Sequence, residues 1–254
     1  MQFNFQGKTV LVSGASRGIG REVASMFADG GARVAVHYNS DQAAADETVA
    51  QLAGTEHITA QANLAEADAV EAMISQIVKA FGQLDIVINN AGIYDLHSIG
   101  EDSYAQWQAA WTHTIGVNLL GPANLTFCAV RQMMAQGGGR IVNVSSRGAF
   151  RGEPDAPAYA ASKAGLNAMG QSLAQKLAPQ NIFIHTVAPG FVETEMAAEI
   201  LSGPQGDGIR NQSPLGRVAK PEEVARTVLF LASDGTEFLT GCVVDVNGAS
   251  YLRT

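Results

Sequence analysis

The glycine-rich stretch at residues 9–20, TVLVSGASRGIG, constrains the fold of this chain more than any other part of the sequence. Its apolar residues 10–12 predict a short buried strand, and residues 21–29 predict a helix. Between them lies a turn with three glycines, Gly14, Gly18 and Gly20. A turn from a strand into a helix directs unpaired N–H groups and the positive end of the helix dipole toward one point, which suits a phosphate. The spacing alone is also consistent with an ordinary βα turn.

Strand-like and helix-like patterns alternate along the rest of the chain. Further strands are predicted at residues 32–38, 57–61, 84–88, 140–145, 182–187 and 243–246. Helices are predicted at residues 43–52, 65–81, 157–178 and 221–232, and a helical region before residue 137 is broken near Gly116 and Gly121. Strands that are apolar on both faces and alternate with helices form parallel sheets covered on each side. The sequence therefore predicts a single α/β domain over residues 1–254, a Rossmann-type, doubly wound, seven-stranded parallel sheet with helices on both faces.

The composition argues against several classes of partner. A formal net charge of −8 argues against nucleic acid and anionic membranes, because both bind basic protein faces. No apolar run is long enough to cross a bilayer, and no N-terminal leader pattern is present. Two cysteines, Cys128 and Cys242, are too few for a disulfide framework, which predicts a cytoplasmic protein. The five histidines show no metal-ligand spacing, so no metal site is predicted.

Polar or glycine-rich breaks follow most of the predicted strands. Ligands of doubly wound sheets bind beyond the carboxyl ends of the strands, so these breaks predict one binding edge. The segments that meet there are residues 14–20, 37–40, 63–64, 89–92, 145–146 and 188–190.

Tyr159 and Lys163 lie four residues apart on a predicted helix, and therefore on one face of it. Ser146 ends the preceding strand and is predicted to meet them above the sheet edge. A nearby lysine cation lowers the pKa of a phenol, which brings tyrosine toward the pH at which it can exchange protons. A serine hydroxyl can hold a substrate oxygen. This set suits proton transfer on a C–OH/C=O group while a hydride moves on the same carbon.

Six segments in this order resemble the short-chain dehydrogenase/reductase family over essentially the whole chain, and in particular its 3-oxoacyl-(acyl-carrier-protein) reductase-like members. The matching segments are residues 13–20, 89–92, Asn118, Ser146, 159–163 and 189–194. The resemblance implies that Tyr159 is the general acid/base and that Ser146 anchors the substrate oxygen. It implies that Lys163 lowers the tyrosine pKa and holds the nicotinamide ribose. It also implies that Asn118 supports a water-linked proton path to the lysine.

The glycine turn, the sheet edge and the resemblance together predict a nicotinamide dinucleotide site. Its predicted residues are Gly14, Ser16, Arg17, Gly18, Ile19, Gly20, His37, Asn39, Ser40, Asn63, Leu64, Asn90, Ala91, Gly92, Tyr159, Lys163, Pro189, Gly190, Val192 and Thr194. NADP(H) is favoured over NAD(H), because Arg17 can bind a 2′-phosphate and no carboxylate ends the second strand before Asp41. Alternatively, Arg17 is a solvated loop residue and both cofactors bind. Asn63 stands where the family often has an aspartate.

Three functions are consistent with this pattern. The leading interpretation is an NADP(H)-dependent oxidoreductase for a small carbonyl or alcohol, with a 3-oxoacyl-(acyl-carrier-protein) reductase as the alternative. A nucleotide-sugar epimerase or dehydratase of the same fold normally has a further C-terminal domain. A non-catalytic dinucleotide sensor or scaffold would be expected to lack part of the Tyr/Lys/Ser set, which is intact here.

The substrate pocket is predicted to be walled by residues 94–98, 148–153 and 195–212, and residues 193–212 form a predicted lid. By resemblance, the carrier-dependent reductases have an arginine at the position of Gln175. The glutamine here predicts a preference for free ketones over carrier-bound ones.

Apolar residues surround the helices at 115–134 and 158–177, which predicts a homo-oligomer, a tetramer by resemblance. His185 is predicted to be a packed residue and not a catalytic one.

Overall fold

The computed structural model describes residues 3–253, so residues 1, 2 and 254 of the predicted domain lie outside it. Seven strands form one sheet in the order β3-β2-β1-β4-β5-β6-β7, and every neighbouring pair is parallel. The strands are β1 Thr9–Val12, β2 Arg33–Tyr38, β3 Ile58–Gln61, β4 Ile86–Asn89, β5 Gly139–Val144, β6 Ile182–Pro189 and β7 Val243–Val246. The predicted fold class, a seven-stranded, doubly wound parallel sheet, is confirmed.

Ten α-helices connect or follow these strands in the described chain. They are α1 Gly18–Asp29, α2 Gln42–Gln51, α3 Ala67–Phe81, α4 Tyr104–Ile115, α5 Gly121–Gln136, α6 Gly148–Arg151, α7 Pro157–Leu177, α8 Glu195–Ser202, α9 Gly206–Arg210 and α10 Pro221–Ala232. Most of the predicted boundaries agree within two residues. The first helix begins at Gly18 and not at Arg21, because its first turn is built from the glycine-rich loop itself.

The core consists of one apolar layer on each face of the sheet. Because alternate residues of a strand point to opposite faces, Val10 and Val12 lie in the layer with α1 and α10. Leu11 lies in the other layer, with α3 and α5. Both faces of β1 are therefore fully buried, which explains why its sequence is apolar at every position.

The break predicted near Gly116 and Gly121 is a single π-helical turn, Gly116–Leu120, between α4 and α5. An added Cβ at Gly121 would lie 2.8 Å from the Leu64 Cβ, so the close approach of this helix to the β3 side requires glycine. The π turn places Asn118 in the interior, where it is 0% exposed. Such turns inside helices are frequent at functional sites.

The segment predicted to be a lid, residues 193–212, is more regular than its glycine and proline content suggested. It contains α8 and α9, which pack through a small apolar cluster of Ala197, Leu201 and Ile209. The tight turn between the two helices is held by a hydrogen bond from the Gly206 N–H to the Gly203 carbonyl at 2.9 Å. The opening and closing of this segment stays a prediction.

Candidate active site

A groove of about 650 Å³ lies beyond the carboxyl ends of the strands. Every residue predicted to contact the cofactor lines it, as does Ser146. Asn118 does not line the groove but lies directly behind it. The breaks in the sequence pattern therefore converge at one edge, as parallel topology requires.

The glycine turn presents a bare helix N-terminus to this groove. Gly14 and Gly18 have φ angles of +63° and +57°, which glycine adopts without strain. An added Cβ at Gly20 would lie 2.2 Å from the Gly14 carbonyl oxygen, so only glycine fits there. No side chain within residues 3–253 caps α1 at Arg17. The first N–H groups of α1 are thus available to a phosphate, which fits the pyrophosphate of a dinucleotide.

His37 supports this turn from below. Its Nδ1 accepts a hydrogen bond from the Gly14 N–H at 2.9 Å, and its Nε2 lies 3.1 Å from the Ala62 carbonyl oxygen. Nε2 must therefore carry the proton, so the ring is neutral. Burial lowers the pKa of His37 to about 4, which maintains this state. His37 was predicted as a cofactor contact, and the structure shows in addition that it joins the glycine turn to the end of β3.

Asn90 and Asn63 make local hydrogen bonds at the cofactor end of the groove. The Asn90 Nδ2 donates to the Ser13 and Gly14 carbonyls at 2.9 and 3.1 Å, which fixes the turn. The Asn63 Oδ1 accepts from the Ala65 N–H at 3.1 Å, and its Nδ2 donates to Glu66 at 2.8 Å. Asn63 thus stabilises the approach to α3, and its predicted contact with the cofactor stays a proposal.

The predicted choice of cofactor depends on two charged residues at this end, Asp41 and Arg17. Asp41 accepts a hydrogen bond from the Ala44 N–H at 3.0 Å, so its carboxylate is engaged in capping α2. The Arg17 guanidinium lies 3.8 Å from the Glu195 carboxylate, and both side chains are mostly exposed. Exposed pairs of this kind are weak, so Arg17 is available to another anion.

Lys163 is buried beneath the groove beside Tyr159. Its Nζ donates to the Val144 carbonyl at 2.9 Å and lies 5.7 Å from the centre of the Tyr159 ring. Burial lowers the pKa of Lys163 to about 8, which leaves it mostly charged at neutral pH. Lys163 is therefore held by a backbone carbonyl and lies beside the Tyr159 ring.

The Tyr159 phenol shifts in the direction opposite to the one expected from the sequence. Burial raises its pKa, the Ser146 hydroxyl opposes this by hydrogen bonding, and the Glu153 carboxylate adds to the rise. The expectation assumed that the Lys163 cation dominates, but in this structure desolvation is the larger effect. The phenol is accordingly protonated at neutral pH.

Asn118 holds the backbone that covers Lys163. Its Oδ1 accepts from the Ile93 N–H and its Nδ2 donates to the Ile93 carbonyl, both at 2.9 Å. A Cβ added to Gly92 would lie 3.3 Å from the Lys163 Nζ and 3.4 Å from the Asn118 Oδ1. Asn118 and Lys163 thus meet under Gly92, and the water-linked path between them stays a proposal.

Several wall residues of the substrate end were missed by the sequence analysis. The Tyr94 ring, which was predicted, packs edge-on against Tyr159 at 4.9 Å, and burial raises the Tyr94 pKa to about 12. Phe191 directly follows the predicted residues Pro189 and Gly190, and this position was the signal in the sequence that could have identified it as a wall residue. The missed residues include His113, Val117 and Phe191.

Other predicted features lie away from the groove. His185 is fully buried and its Nε2 lies 3.1 Å from the Thr236 carbonyl oxygen, in agreement with a packing role. Among residues 3–253, no three His, Cys, Asp or Glu side chains form a group that could hold a metal ion. No helix within the same range has the length and apolar character needed to span a membrane.

Comparison with known proteins agrees with this geometry. A family model described as enoyl-(acyl carrier protein) reductase matches residues 14–249. The 3-oxoacyl-(acyl-carrier-protein) reductase FabG of Staphylococcus aureus is 38% identical over 247 residues, which span 96% of this chain and 98% of that protein. The chain belongs to the short-chain dehydrogenase/reductase family. The resemblance stated from the motifs is thereby confirmed.

Two further relatives support the same family over the full length. FabG of Aquifex aeolicus is 37% identical over 253 residues, which span 99% of this chain and all of that protein. A solved dehydrogenase/reductase from Sinorhizobium meliloti superposes with a TM-score of 0.90 at 30% identity and covers 99% of this chain and 98% of its own. The chain is therefore an oxidoreductase of this family.

Proposed function

We propose that the chain is a single-domain, NADP(H)-dependent oxidoreductase that interconverts a small ketone or aldehyde and its alcohol, with Tyr159 as the general acid/base. The observation that carries the proposal is the convergence of Ser146, Tyr159 and Lys163 on the groove that also holds the glycine turn. The intact set argues against a non-catalytic sensor. Cys128 and Cys242 are free thiols, which supports placement in a reducing cytoplasm.

In this proposal each side chain has one task. The nicotinamide, when bound, supplies or accepts the hydride. The Ser146 hydroxyl donates a hydrogen bond to the carbonyl oxygen, and the protonated Tyr159 gives its proton to the developing alkoxide. The Lys163 cation lies 5.7 Å from the tyrosine ring and stabilises the phenolate that remains. Tyr94 packs against Tyr159 and restricts water on that side.

The choice of nicotinamide depends on Arg17. The Arg17 side chain lines the cofactor groove, and its one salt bridge within residues 3–253 is the exposed pair with Glu195. A guanidinium fork is suited to a 2′-phosphate, whereas no carboxylate within residues 33–40 is present to accept ribose hydroxyls. This arrangement supports NADP(H), and binding of both cofactors is the alternative outcome.

The proposed role of Tyr159 is tested by Tyr159→Phe. This variant keeps the ring that packs against Tyr94 but lacks the proton donor. We expect NADPH oxidation with a panel of ketones and aldehydes to fall at least ~100-fold. Tyr104→Phe is the matched control, because Tyr104 is exposed at the start of α4 and should have no effect. Unchanged kcat in folded Tyr159→Phe would exclude the assignment.

A second candidate is a carrier-dependent reductase. It is favoured by the FabG relatives, which are named for a 3-oxoacyl group on acyl-carrier protein. An acidic carrier needs basic residues beside the groove, but position 175 is Gln, and residues 133–136 contain no basic side chain. Arg131 and Lys176 are partial substitutes. We therefore place free ketones ahead of carrier-bound ones.

We propose that the chain forms a homo-oligomer, and by family resemblance a tetramer. Leu120, Phe127 and Met134 are spaced seven residues apart and expose 54%, 63% and 47% of their surface, so they form one apolar stripe along the α5 region. Exposed stripes of large apolar side chains mark association surfaces. On α7, Ala161 and Ala164 are small and exposed, which allows a second copy to approach closely.

A further inference from the structure

Arg147 is a buried cation next to the catalytic serine. It follows Ser146 directly, and only 3% of its surface is exposed. The guanidinium donates to two neutral acceptors, the Ser250 Oγ at 2.6 Å and the Gln212 Oε1. These bonds use two of the five N–H donors that an arginine carries.

Within residues 3–253, no carboxylate forms a salt bridge with Arg147. Glu153 lies 3.6 Å from the Arg151 Nε and is thus paired with another cation. Burial lowers the pKa of Arg147, and the positive charge of Arg151 adds to this effect while Glu153 opposes it. A buried cation that no carboxylate contacts directly is costly, so a site of this kind favours an anionic ligand.

A second cavity of about 150 Å³ lies on the far side of the guanidinium. Arg147 and Phe191 line both this cavity and the cofactor groove, so they form the partition between the two. The guanidinium carbon lies 5.1 Å from the centre of the Phe191 ring, which supports one face of the cation. The Arg147 residue thus borders two cavities although only 3% of its surface is exposed.

The other charges around the second cavity are already paired. Arg217 forms a salt bridge with Glu223 at 2.7 Å, and Asp245 pairs with Arg253 at 2.8 Å. The remaining uncompensated charge of this lining is that of Arg147. One cation is offset by a carboxylate, whereas a dianionic phosphate would carry excess negative charge into the site.

We propose that Arg147, at the partition between the groove and the second cavity, forms a carboxylate subsite, so that the substrate is an oxo acid or hydroxy acid anion rather than a neutral ketone or alcohol. The proposal rests on the proposed function, because Arg147 follows Ser146 directly and both line the groove in which Ser146 would hold the substrate oxygen. The planar fork of the guanidinium binds a carboxylate in a fixed orientation. Arg147 thereby selects which end of the substrate enters.

The experiment compares oxo acids with their methyl esters, which lack the negative charge and carry one additional methyl group. We expect wild-type kcat/KM to be roughly 10- to 100-fold higher for the acid, the effect of one hydrogen-bonded charge pair. In Arg147→Gln the kcat/KM for the acid should fall to about that for the ester, so that the preference is lost. Arg151→Gln is the matched control and should retain the preference. Equal losses on acid and ester in Arg147→Gln would show that Arg147 only supports the fold.

Two further measurements distinguish loss of the subsite from misfolding of the variant and from failure of the proposed function. Ser250→Ala removes one support of the guanidinium but not its charge, and should keep the preference for acids. Sodium acetate, a monocarboxylate, should raise the unfolding temperature of wild type but not of Arg147→Gln. If acetate protects while no carbonyl compound reacts, the subsite stands and the proposed function fails. Turnover of esters and acids at equal rates, without protection by acetate, overturns the subsite alone.

Discussion

Acid should destabilise this protein through His37, because the ring must stay neutral to hold the glycine turn. The Gly14 N–H donates to Nδ1, so a protonated ring would place a second hydrogen against that donor. Protonation therefore breaks the contact at 2.9 Å that positions the phosphate-binding turn. The perturbation consists of a decrease in pH, and His37→Gln is the variant that removes the titrating group.

The magnitude follows from the two pKa values. The pKa of His37 is about 4 in the fold, against an ordinary value of 6.5. Between these values the unfolded chain binds a proton that the folded protein does not, so the free energy of unfolding decreases as the pH falls. The loss begins near pH 6.5 and is complete near pH 4. It amounts to about 3 kcal/mol, at 1.36 kcal/mol for each tenfold difference in proton affinity.

Urea unfolding measured at several pH values between 4 and 7.5 tests this expectation. The wild type should lose stability steadily below pH 6.5, and the total loss between pH 6.5 and 4 should be smaller in His37→Gln by most of that ~3 kcal/mol. His57→Gln is the matched control, because the His57 ring also bonds two backbone groups but lies nearer the surface. A pH slope that is identical in wild type and His37→Gln would refute the reasoning.

Three further results are expected. Arg17→Ala should lose roughly 10- to 100-fold in NADPH affinity and keep its NADH affinity, whereas Glu195→Gln should tighten NADPH binding. Equal losses of affinity for both cofactors in Arg17→Ala would mean that Arg17 only supports the turn. Small free ketones should give a higher kcat/KM than acetoacetyl-carrier protein, and the opposite order would favour the carrier-dependent candidate. Light scattering should give a multiple of the chain mass at micromolar concentration, and Phe127→Glu should reduce it; a monomeric wild type contradicts the proposed association.

The sequence predicted the sheet well because its strands are short, apolar and separated by clear helical patterns. β1 and β6 were located within two residues, and the breaks that follow them met at one edge because parallel topology leaves no other place for them. The break near Gly116 was also located. Its conversion into a π turn that buries Asn118 depends on contacts with residues 92–93, which no local pattern encodes.

The electrostatics of the site could not be predicted in the same way. The spacing of Tyr159 and Lys163 placed them on one helix face, as found, but the direction of the tyrosine pKa depends on burial and on where the lysine points. The Lys163 Nζ donates to Val144, a residue 19 positions earlier on β5. The isolation of the Arg147 charge likewise depends on residues far away in the sequence, Gln212 and Ser250. Long-range contacts of this kind follow from the fold and not from motifs.

The most direct test of the proposed function is the transfer of deuterium from NADPH labelled at both hydrogens of nicotinamide C4. The enzyme is incubated with the labelled cofactor and a panel of ketones and oxo acids, and the products are analysed by mass spectrometry. Wild type should place one deuterium on the carbinol carbon, and Tyr159→Phe should do so at least ~100-fold more slowly. Tight NADPH binding without deuterium transfer to any compound would contradict the oxidoreductase proposal and favour a non-catalytic sensor.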